Sequence, residues 1–480
     1  MPGALPAAAQ PATPQDALPA YDNPRQQYRY LAGDHHIHTK YSPDAVYEVA
    51  QQAEKAKEYG LDWMVITDHG GPTHQRLSID PTSEDIIAAR EQVDLLIYQG
   101  VEWNIPAGEH ATVFLTPGGA DREVLKAFEL GYAGAILAAA GAIPGATTNS
   151  PAVEEYAYQG LRYLYEQIQA GAIGDAVMLP NHVSRRGLDS PHELRGYRDA
   201  APGIAVGMEG APGHQAAGIS VAEGGVGDDR GFFGNAANAE SFPGYSPESY
   251  FTFGGFDYNV SEVGGLWDSM LAEGKRWCIT TTSDSHFNHL ETFVRGGTPE
   301  QQESAYWQTT GQYLPPVDTG VPTPAGDFWP GFYSQTLVAA TANDYDAVIK
   351  GLREGRTYAI HGGLVRGVDL RVNAVGLSDR FGSTVGGRSR ARRGRNVRVT
   401  IKLDLATTPN FNGDVPQLAK VDLIAGPVTG PVADLDTQTA PGTQVVETFE
   451  ISEQDRRRGA APRVPQRAGV VLCAPARVGR

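Results

Sequence analysis

The sequence is poor in cysteine, and this scarcity excludes two kinds of site. Its 480 residues include two cysteines, Cys278 and Cys473, which lie far apart in the chain. A disulfide framework and a zinc site built from thiolates are therefore excluded. No uninterrupted apolar run is long enough to span a bilayer, so we expect no membrane span. The start has no basic stretch followed by an apolar run, so we expect no intact signal peptide.

Positive charge is also scarce. There are 39 lysines and arginines against 56 aspartates and glutamates, which gives a net charge of −17. Such an acidic chain would repel a phosphate backbone, which argues against a general nucleic-acid binder. Apolar residues make up 41% of the chain and charged residues 20%, which is ordinary globular composition. Collagen, coiled coil and wholesale disorder are excluded, and the length allows about two or three domains.

Composition divides the chain into four segments. Residues 1–30 begin with Ala, Pro and Gln and are predicted to be a disordered tail. In residues 31–363, short apolar runs alternate with helical patterns and long Gly-rich insertions, which predicts a parallel α/β sheet or barrel. Residues 364–450 alternate apolar and polar positions between Gly/Pro-rich turns, which predicts a small antiparallel β-sandwich. Residues 451–480 carry seven arginines and two acids and are predicted to be a basic disordered tail.

Most of the 12 histidines fall in short motifs at the ends of predicted strands. In Asp-His-His-Ile-His-Thr, His36 and His38 share one face because side chains alternate along a strand. The other motifs are Thr-Asp-His ending at His69, Gly-Val-Glu ending at Glu102 and followed by His110, Asn-His ending at His182, and Ser-Asp-Ser-His with Asp284 and His286. In α/β barrels the carboxyl ends of the strands carry the active site. Burying so many polar groups without a cation would be costly, so the motifs together predict a metal site.

In this order, the motifs resemble the PHP (polymerase and histidinol phosphatase) superfamily of metal-dependent phosphoesterases. The resemblance covers roughly residues 31–363, with the insertions unmatched. It implies a distorted (β/α)7 TIM-like barrel and a trinuclear metal centre at the carboxyl ends of its strands. It also implies a phosphatase or phosphodiesterase that acts through a hydroxide shared by two ions.

The resemblance further implies a ligand set, position by position. His36, His38, Glu102 and Asp284 would hold the first ion, Glu102, His110 and His182 the second, and Asp44, His69 and His286 the third. Asp44 stands where the family has a His or an Asp. Imidazole and carboxylate ligands without thiolate suit Zn, Mn or Fe. Asp284, His286 and Glu102 are the expected catalytic residues, although Asp284 and His286, being ligands themselves, are compromised as proton donors.

Two arginines follow the Asn-His motif closely. Arg185 and Arg186 are predicted to hold the phosphate of a small phosphorylated substrate, because the guanidinium fork matches phosphate geometry. A solvated basic loop is the competing interpretation. Glu209 and His214 follow another predicted strand and are candidate hydrogen-bond partners of the ligands.

Two other functions stay open. A binuclear amidohydrolase, which cleaves C–N bonds, also begins with His-x-His, but it usually needs a bridging Lys where this chain has Glu102. A non-catalytic binding protein could use the metals structurally. The complete ligand set favours the phosphoesterase.

The cellular location also stays open at this point. Few cysteines suit the cytoplasm, whereas the Ala/Pro-rich start and the added β-domain suit secretion, which is slightly favoured. The sequence gives no oligomeric state and no specific nucleic-acid partner.

Overall fold

The computed structural model describes residues 28–201, 203–228, 236–374, 382–389, 396–451 and 469–477. The strands are β1 (Arg29–Asp34), β2 (Trp63–Ile66), β3 (Leu96–Asn104), β4 (His110–Leu115), β5 (Ala176–Pro180), β6 (Gly207–Ala211), β7 (Thr252–Phe253), β8 (Phe256–Asp257), β9 (Cys278–Thr281), β10 (Phe293–Arg295), β11 (Pro316–Asp318), β12 (Ser334–Ala340), β13 (Thr357–His361), β14 (Val365–Ala374), β15 (Asn396–Leu405), β16 (Lys420–Ala425), β17 (Gln444–Glu450) and β18 (Gly469–Arg477). The helices are α1 (Val49–Glu58), α2 (His74–Leu77), α3 (Ile79–Gln92), α4 (Asp121–Tyr132), α5 (Gly134–Ala139), α6 (Pro151–Gln169), α7 (Pro191–Ala200), α8 (Tyr258–Ser261), α9 (Leu266–Ala272), α10 (Pro299–Gln302), α11 (Ser304–Thr310) and α12 (Tyr345–Arg353).

A curled mixed sheet forms the centre of the N-terminal part. Seven strands lie in the order β13-β12-β1-β2-β3-β4-β5, and β6 pairs with β9 beside them. Two isolated parallel bridges, Met178 with Ala205 and Ile37 with Ser285, join the β6–β9 pair to opposite sides of the sheet. The α/β class predicted from the sequence is confirmed, and the sheet closes far enough to bring the ends of distant strands together.

The strand directions depart from a uniformly parallel barrel. β1, β2 and β3 are parallel, but β4 is antiparallel to both β3 and β5, and β12 is antiparallel to β1. The connection between β3 and β4 spans only residues 105–109. A parallel crossover needs a dozen or more residues, so this short connection forces a hairpin.

Apolar strands buried on both faces explain why this sheet forms. Every side chain of β2 is buried, and Trp63 packs directly over Gly33 of the neighbouring strand. A Cβ at Gly33 would lie 1.9 Å from the Trp63 ring, so only glycine fits there. The pairing of β1 with β2 therefore requires glycine at position 33, opposite the large Trp63 side chain.

Residues next to the helix ends help to explain where several helices start and stop. α1 ends at Glu58, and Gly60 adopts φ 83° just beyond it, as glycine commonly does after a helix. α3 begins at Ile79, directly after Ser78. At α7, Ser190 and Glu193 form a capping box and Pro191 takes the first position. No helix in the described part of the chain is long and apolar enough to cross a membrane.

The C-terminal part is rich in β-structure, as predicted. β14, β15 and β18 form one antiparallel sheet, and β16 pairs with β17 in a second. An apolar cluster that includes Val399, Ile401 and Val421 draws on both sheets. Of the predicted C-terminal tail, residues 469–477 instead form strand β18, because the apolar run Gly-Val-Val-Leu-Cys-Ala lies among the arginines. The rest of that tail from 452, and the N-terminal tail up to residue 27, lie outside the described residues.

Candidate metal centre

The histidine motifs meet at one end of the curled sheet. The bridges that pair Ile37 with Ser285 and His69 with Glu102 place the ends of four strands side by side. The structure brings together all nine predicted ligands, namely His36, His38, Asp44, His69, Glu102, His110, His182, Asp284 and His286. Residues scattered over some 250 sequence positions therefore occupy one site.

Glu102 lies at the middle of this cluster and is almost fully buried. Its Oε1 lies 3.2 Å from Nε2 of His36, 2.9 Å from Nδ1 of His110 and 3.1 Å from Nε2 of His182. Its Oε2 lies 2.6 Å from Nδ1 of His69. Although burial raises the pKa of Glu102, the surrounding histidines hold it well below its usual range. One carboxylate therefore links several imidazoles in the way a bridging ligand would.

Asp284 and Asp44 occupy two other sides of the cluster. Oδ1 of Asp284 lies 3.0 Å from Nε2 of His36 and 3.2 Å from Nε2 of His38. Asp44 lies 3.1 Å from Nε2 of His69 and 3.7 Å from Nε2 of His286. The donors thus surround a common space instead of forming isolated pairs.

Three compact groups of donor atoms could each hold an ion. They are His38, His69 and His286; His36, His38 and Asp284; and His69, Glu102 and His110, with the atoms of each group within 4.8 Å of one another. This grouping differs in part from the predicted one, because His38 and His69 are each shared between two groups. His182 approaches Glu102 without completing a group.

Buried atoms without hydrogen bonds test whether these residues fit a cation. Nε2 of His38, Oε2 of Glu102 and Oδ1 of Asp284 are buried and make no hydrogen bond of acceptable geometry. Burial and the neighbouring imidazoles of His286 and His69 lower the pKa of His38 well below its ordinary value. A neutral imidazole among ionised carboxylates, each with an unused lone pair, is the donor set that a divalent ion needs. The residues therefore fit a metal centre.

Further hydrogen bonds hold the histidines in place. Oε1 of Glu209 accepts from Nδ1 of His36 at 2.7 Å, and Oε2 accepts from the backbone N–H of His182 at 2.7 Å. On the other side, Nδ1 of His38 lies 2.9 Å from Oγ of Ser42. Glu209 is thus a hydrogen-bond partner of two proposed ligands, the role for which the sequence made it a candidate.

Two residues of the site lie in or beside long insertions. His214, named from the sequence as a candidate partner, lies with Nε2 3.4 Å from Oδ2 of Asp284 and Nδ1 hydrogen-bonded to Asp327. Asp327 also accepts from the backbone N–H groups of His286 and Phe287. Sequence reasoning missed Asp327, because it stands in a Gly/Pro-rich stretch with no metal-binding spacing around it.

The cluster forms the floor of a cleft of about 470 Å³. Arg185 lines this cleft, and its Nη1 lies 3.3 Å from Oε1 of Glu109. Arg186 is exposed and is not among the residues that line the cleft, so its role as a phosphate contact stays a prediction.

Unusual backbone conformations concentrate in the site. His182, His214 and Asp284 have φ values of 29°, 59° and 47°. A non-glycine residue with positive φ costs of order 1–3 kcal/mol and persists where the surrounding structure holds it. The fold therefore maintains three strained residues beside one cluster of donors.

Comparison with known proteins agrees with this picture in part of the chain. Residues 34–166 match the PHP domain model, and this segment includes six of the nine predicted ligands. No curated protein matches the sequence.

Three solved structures are similar at low identity. A two-domain protein from Bacteroides vulgatus, containing a predicted PHP-like metal-dependent phosphoesterase, is 15% identical, with 88% of this chain and 86% of that chain covered and a TM-score of 0.38. A candidate metal-dependent phosphoesterase from Bifidobacterium adolescentis is 18% identical, with coverage of 37% and 76% and a TM-score of 0.22. Endonuclease Q, in complex with a 27-mer duplex substrate, is 16% identical, with coverage of 40% and 46% and a TM-score of 0.24. These scores are too low to support an argument, but the match of residues 34–166 to the PHP domain model confirms, over that segment, the resemblance inferred from the motifs.

Proposed function

We propose that this protein is a metal-dependent hydrolase of phosphate esters. Its metal centre would be multinuclear and would hold three ions. The observation that carries the proposal is the convergence of nine imidazole and carboxylate side chains, among which buried donor atoms make no hydrogen bond. The PHP domain match supports the same reaction class. Our proposal includes Zn, Mn or Fe as the metals and the distorted (β/α)7 barrel as the scaffold.

The proposed ligand roles combine the set implied by the motifs with the observed donor groups. His36, His38 and Asp284 would hold one ion, Glu102 and His110 a second with His182 beside it, and Asp44, His69 and His286 a third. Bound divalent ions would supply Lewis acidity and a water that is nucleophilic at neutral pH. The protein's own contribution is to hold the donors fixed, with Glu209 orienting His36 and Ser42 orienting His38. Glu102, Asp284 and His286 stand closest to the reacting atoms in this proposal.

Arg185 is the proposed anchor for the substrate phosphate. It lines the same cleft as the proposed metal ligands, and its guanidinium forms an ion pair with the buried carboxylate of Glu109. A guanidinium beside a metal centre can bind the phosphoryl oxygens that the ions leave free. The net charge of −17 favours a small phosphorylated substrate over a nucleic acid.

We also propose the domain limits. A hydrolase domain of residues 31–363 and a β-domain of residues 364–450 agree with the turn between β13, which ends at His361, and β14, which begins at Val365. Strand β18 extends the β-domain beyond the proposed limit.

The test combines metal analysis with a substrate panel. Purified protein should contain divalent metal, hydrolyse phosphate mono- or diesters, lose activity in chelator and regain it with Mn or Zn. His36→Ala and Asp284→Ala should abolish turnover and leave the circular dichroism spectrum unchanged, whereas Asp94→Ala, at an exposed side chain, should keep full activity. Duplex DNA with an abasic site and amide substrates complete the panel. Turnover of amides alone would indicate an amidohydrolase, and metal binding without any turnover would indicate a binding protein.

A further inference from the structure

His214 reaches the metal centre from outside the sequence motifs. It follows β6 in the loop after Ala211, and its Nε2 lies 3.4 Å from Oδ2 of Asp284. Its ring is stacked with that of His286 at 6.0 Å between centroids. The imidazole lines the same cleft as the predicted ligands. A seventh imidazole therefore faces the carboxylate that already approaches His36 and His38.

The backbone around His214 is built for this close approach. His214 itself has φ 59°, in the left-handed region that few residues with a Cβ adopt. At Gly213, a Cβ would lie 2.2 Å from Cβ of Asp284 and 2.3 Å from the carbonyl oxygen of Ser283. Only glycine allows the loop to lie against the end of the β9 segment. The chain thus accepts local strain where it brings His214 to Asp284.

Asp327 fixes the orientation of the imidazole. Its Oδ1 accepts a hydrogen bond from Nδ1 of His214, while its Oδ2 accepts from the backbone N–H of His286 at 2.7 Å. Asp327 is 3% exposed, so its carboxylate is directed by the protein and not by solvent. With Nδ1 bonded to Asp327, Nε2 is the ring nitrogen that lies 3.4 Å from Oδ2 of Asp284. Metal-binding histidines characteristically donate their second nitrogen to a carboxylate in this way.

We propose that His214 is a further metal ligand, which coordinates through Nε2 an ion also held by Asp284, with Asp327 as its positioning residue. This inference rests on the proposed function, because it requires that the centre bind divalent metal. It extends the ligand set beyond the nine positions given by the motifs. It also gives the insertion after β6 a role in completing the site.

Equilibrium metal binding tests the inference without relying on turnover. Wild-type protein, His214→Ala and Asp327→Asn would be titrated with Mn and Zn in metal buffers, and their bound metal counted by mass spectrometry. Loss of a ligand or of its carboxylate partner should weaken the affinity of at least one ion about 10- to 100-fold. The absorption spectrum of the Co-loaded protein should change in His214→Ala, because one nitrogen leaves the coordination sphere.

His192→Ala is the matched control. Nδ1 of His192 lies 2.6 Å from Oδ1 of Asp436, so it forms a His–Asp pair like that of His214, but it does not line the cleft. This variant should keep wild-type metal affinity and the wild-type Co spectrum. If His214→Ala folds poorly, His214→Gln and Asp327→Asn give the same comparison with less loss of volume.

The possible results separate the two proposals. Unchanged metal affinity and an unchanged Co spectrum in folded His214 variants overturn the inference and leave the proposed function intact. A raised KM with unchanged metal binding also overturns it, since His214 would then contact substrate. Wild-type protein that takes up no divalent metal overturns the proposed function itself.

Discussion

Glu209 accepts a hydrogen bond from Nδ1 of His36 at 2.7 Å, and both side chains are buried. The bond directs Nε2 of His36 toward Glu102 and Asp284, which lie 3.2 and 3.0 Å away. The same carboxylate accepts from Thr282 at 2.9 Å, so Glu209 ties β6 to the end of β9. The orientation of a proposed ligand therefore depends on a residue in a different strand, β6.

Replacing Glu209 should weaken metal binding without emptying the site. Glu209→Gln keeps the volume but removes the charge that polarises His36, and we expect a loss of about 10- to 100-fold in affinity. Competition with a chromogenic chelator would measure it. Glu129→Gln is the control, because Glu129 forms an equally buried 2.7 Å pair with His74, which is not a proposed ligand. Equal losses in both variants would mean that Glu209 only supports the fold.

Arg185 should affect substrate binding more than the protein's stability. Arg185→Ala removes a charge-assisted contact to phosphate, so KM should rise about 10-fold or more while kcat and the melting temperature change little. Steady-state kinetics with a phosphorylated substrate would separate the two constants. Arg186→Ala, at the exposed neighbour, should leave KM unchanged. A KM that rises equally in both variants would point to a general electrostatic effect.

The proposed ligands could be named from the sequence because their signal is local. His36 and His38 lie two residues apart, and Asp284 and His286 repeat that spacing, so alternation predicts that each pair shares one face. In the structure Asp284 adopts φ 47°, so alternation alone does not place the second pair. Asp327 has no such signal: it acts through backbone N–H groups that only the folded loop brings near it.

The same limit applies to the fold. The buried strands and the α/β class follow from apolar runs, but the direction of β4 depends on the short connection at residues 105–109. The sequence did not indicate strand β18, because arginines dominate the composition around it. The strand also forms by pairing with β15, which lies far away in the sequence. Local pattern predicts elements, and long-range pairing decides their arrangement.

A buried ion-pair network between α7 and Glu273 should contribute strongly to the free energy of unfolding. Nε of Arg195 donates to Glu273 at 2.6 Å, Arg198 donates to the same carboxylate at 2.7 Å, and Arg195 is 1% exposed. Arg195 also donates to the carbonyl oxygen of Leu435, in the C-terminal part of the chain. Glu273→Ala removes the carboxylate shared by two buried guanidinium groups and leaves Arg195 without an ion-pair partner, although Arg198 keeps Asp199, so unfolding free energy should fall by about 3–5 kcal/mol.

Denaturant unfolding would measure that loss. Lys275→Ala nearby provides the control, since its pair with Asp199 is largely exposed and should contribute at most about 1 kcal/mol. If the unfolding free energy of Glu273→Ala falls by less than about 1 kcal/mol, water replaces the lost carboxylate and the ion pairs contribute little to stability.

Asp257 should make stability depend on pH. Burial, reinforced by the charge of Glu209, raises the pKa of Asp257 to about 8, and its side chain is buried. Between its ordinary value near 4 and this raised value, the unfolded chain loses the proton while the folded protein keeps it. Folding stability from this group is therefore fully present at acid pH and is lost as pH rises toward 8.

Asp257→Asn removes this titration while keeping the size of the side chain. The melting temperature of the variant relative to wild type should therefore rise as pH increases from about 4 to 8 and then level off. Asp94→Asn, at a side chain that is 97% exposed, should show no such trend. Melting curves at matched ionic strength would measure both. A difference between Asp257→Asn and wild type that stays constant with pH would mean that Asp257 is ionised in the folded protein, with its charge balanced by groups around it.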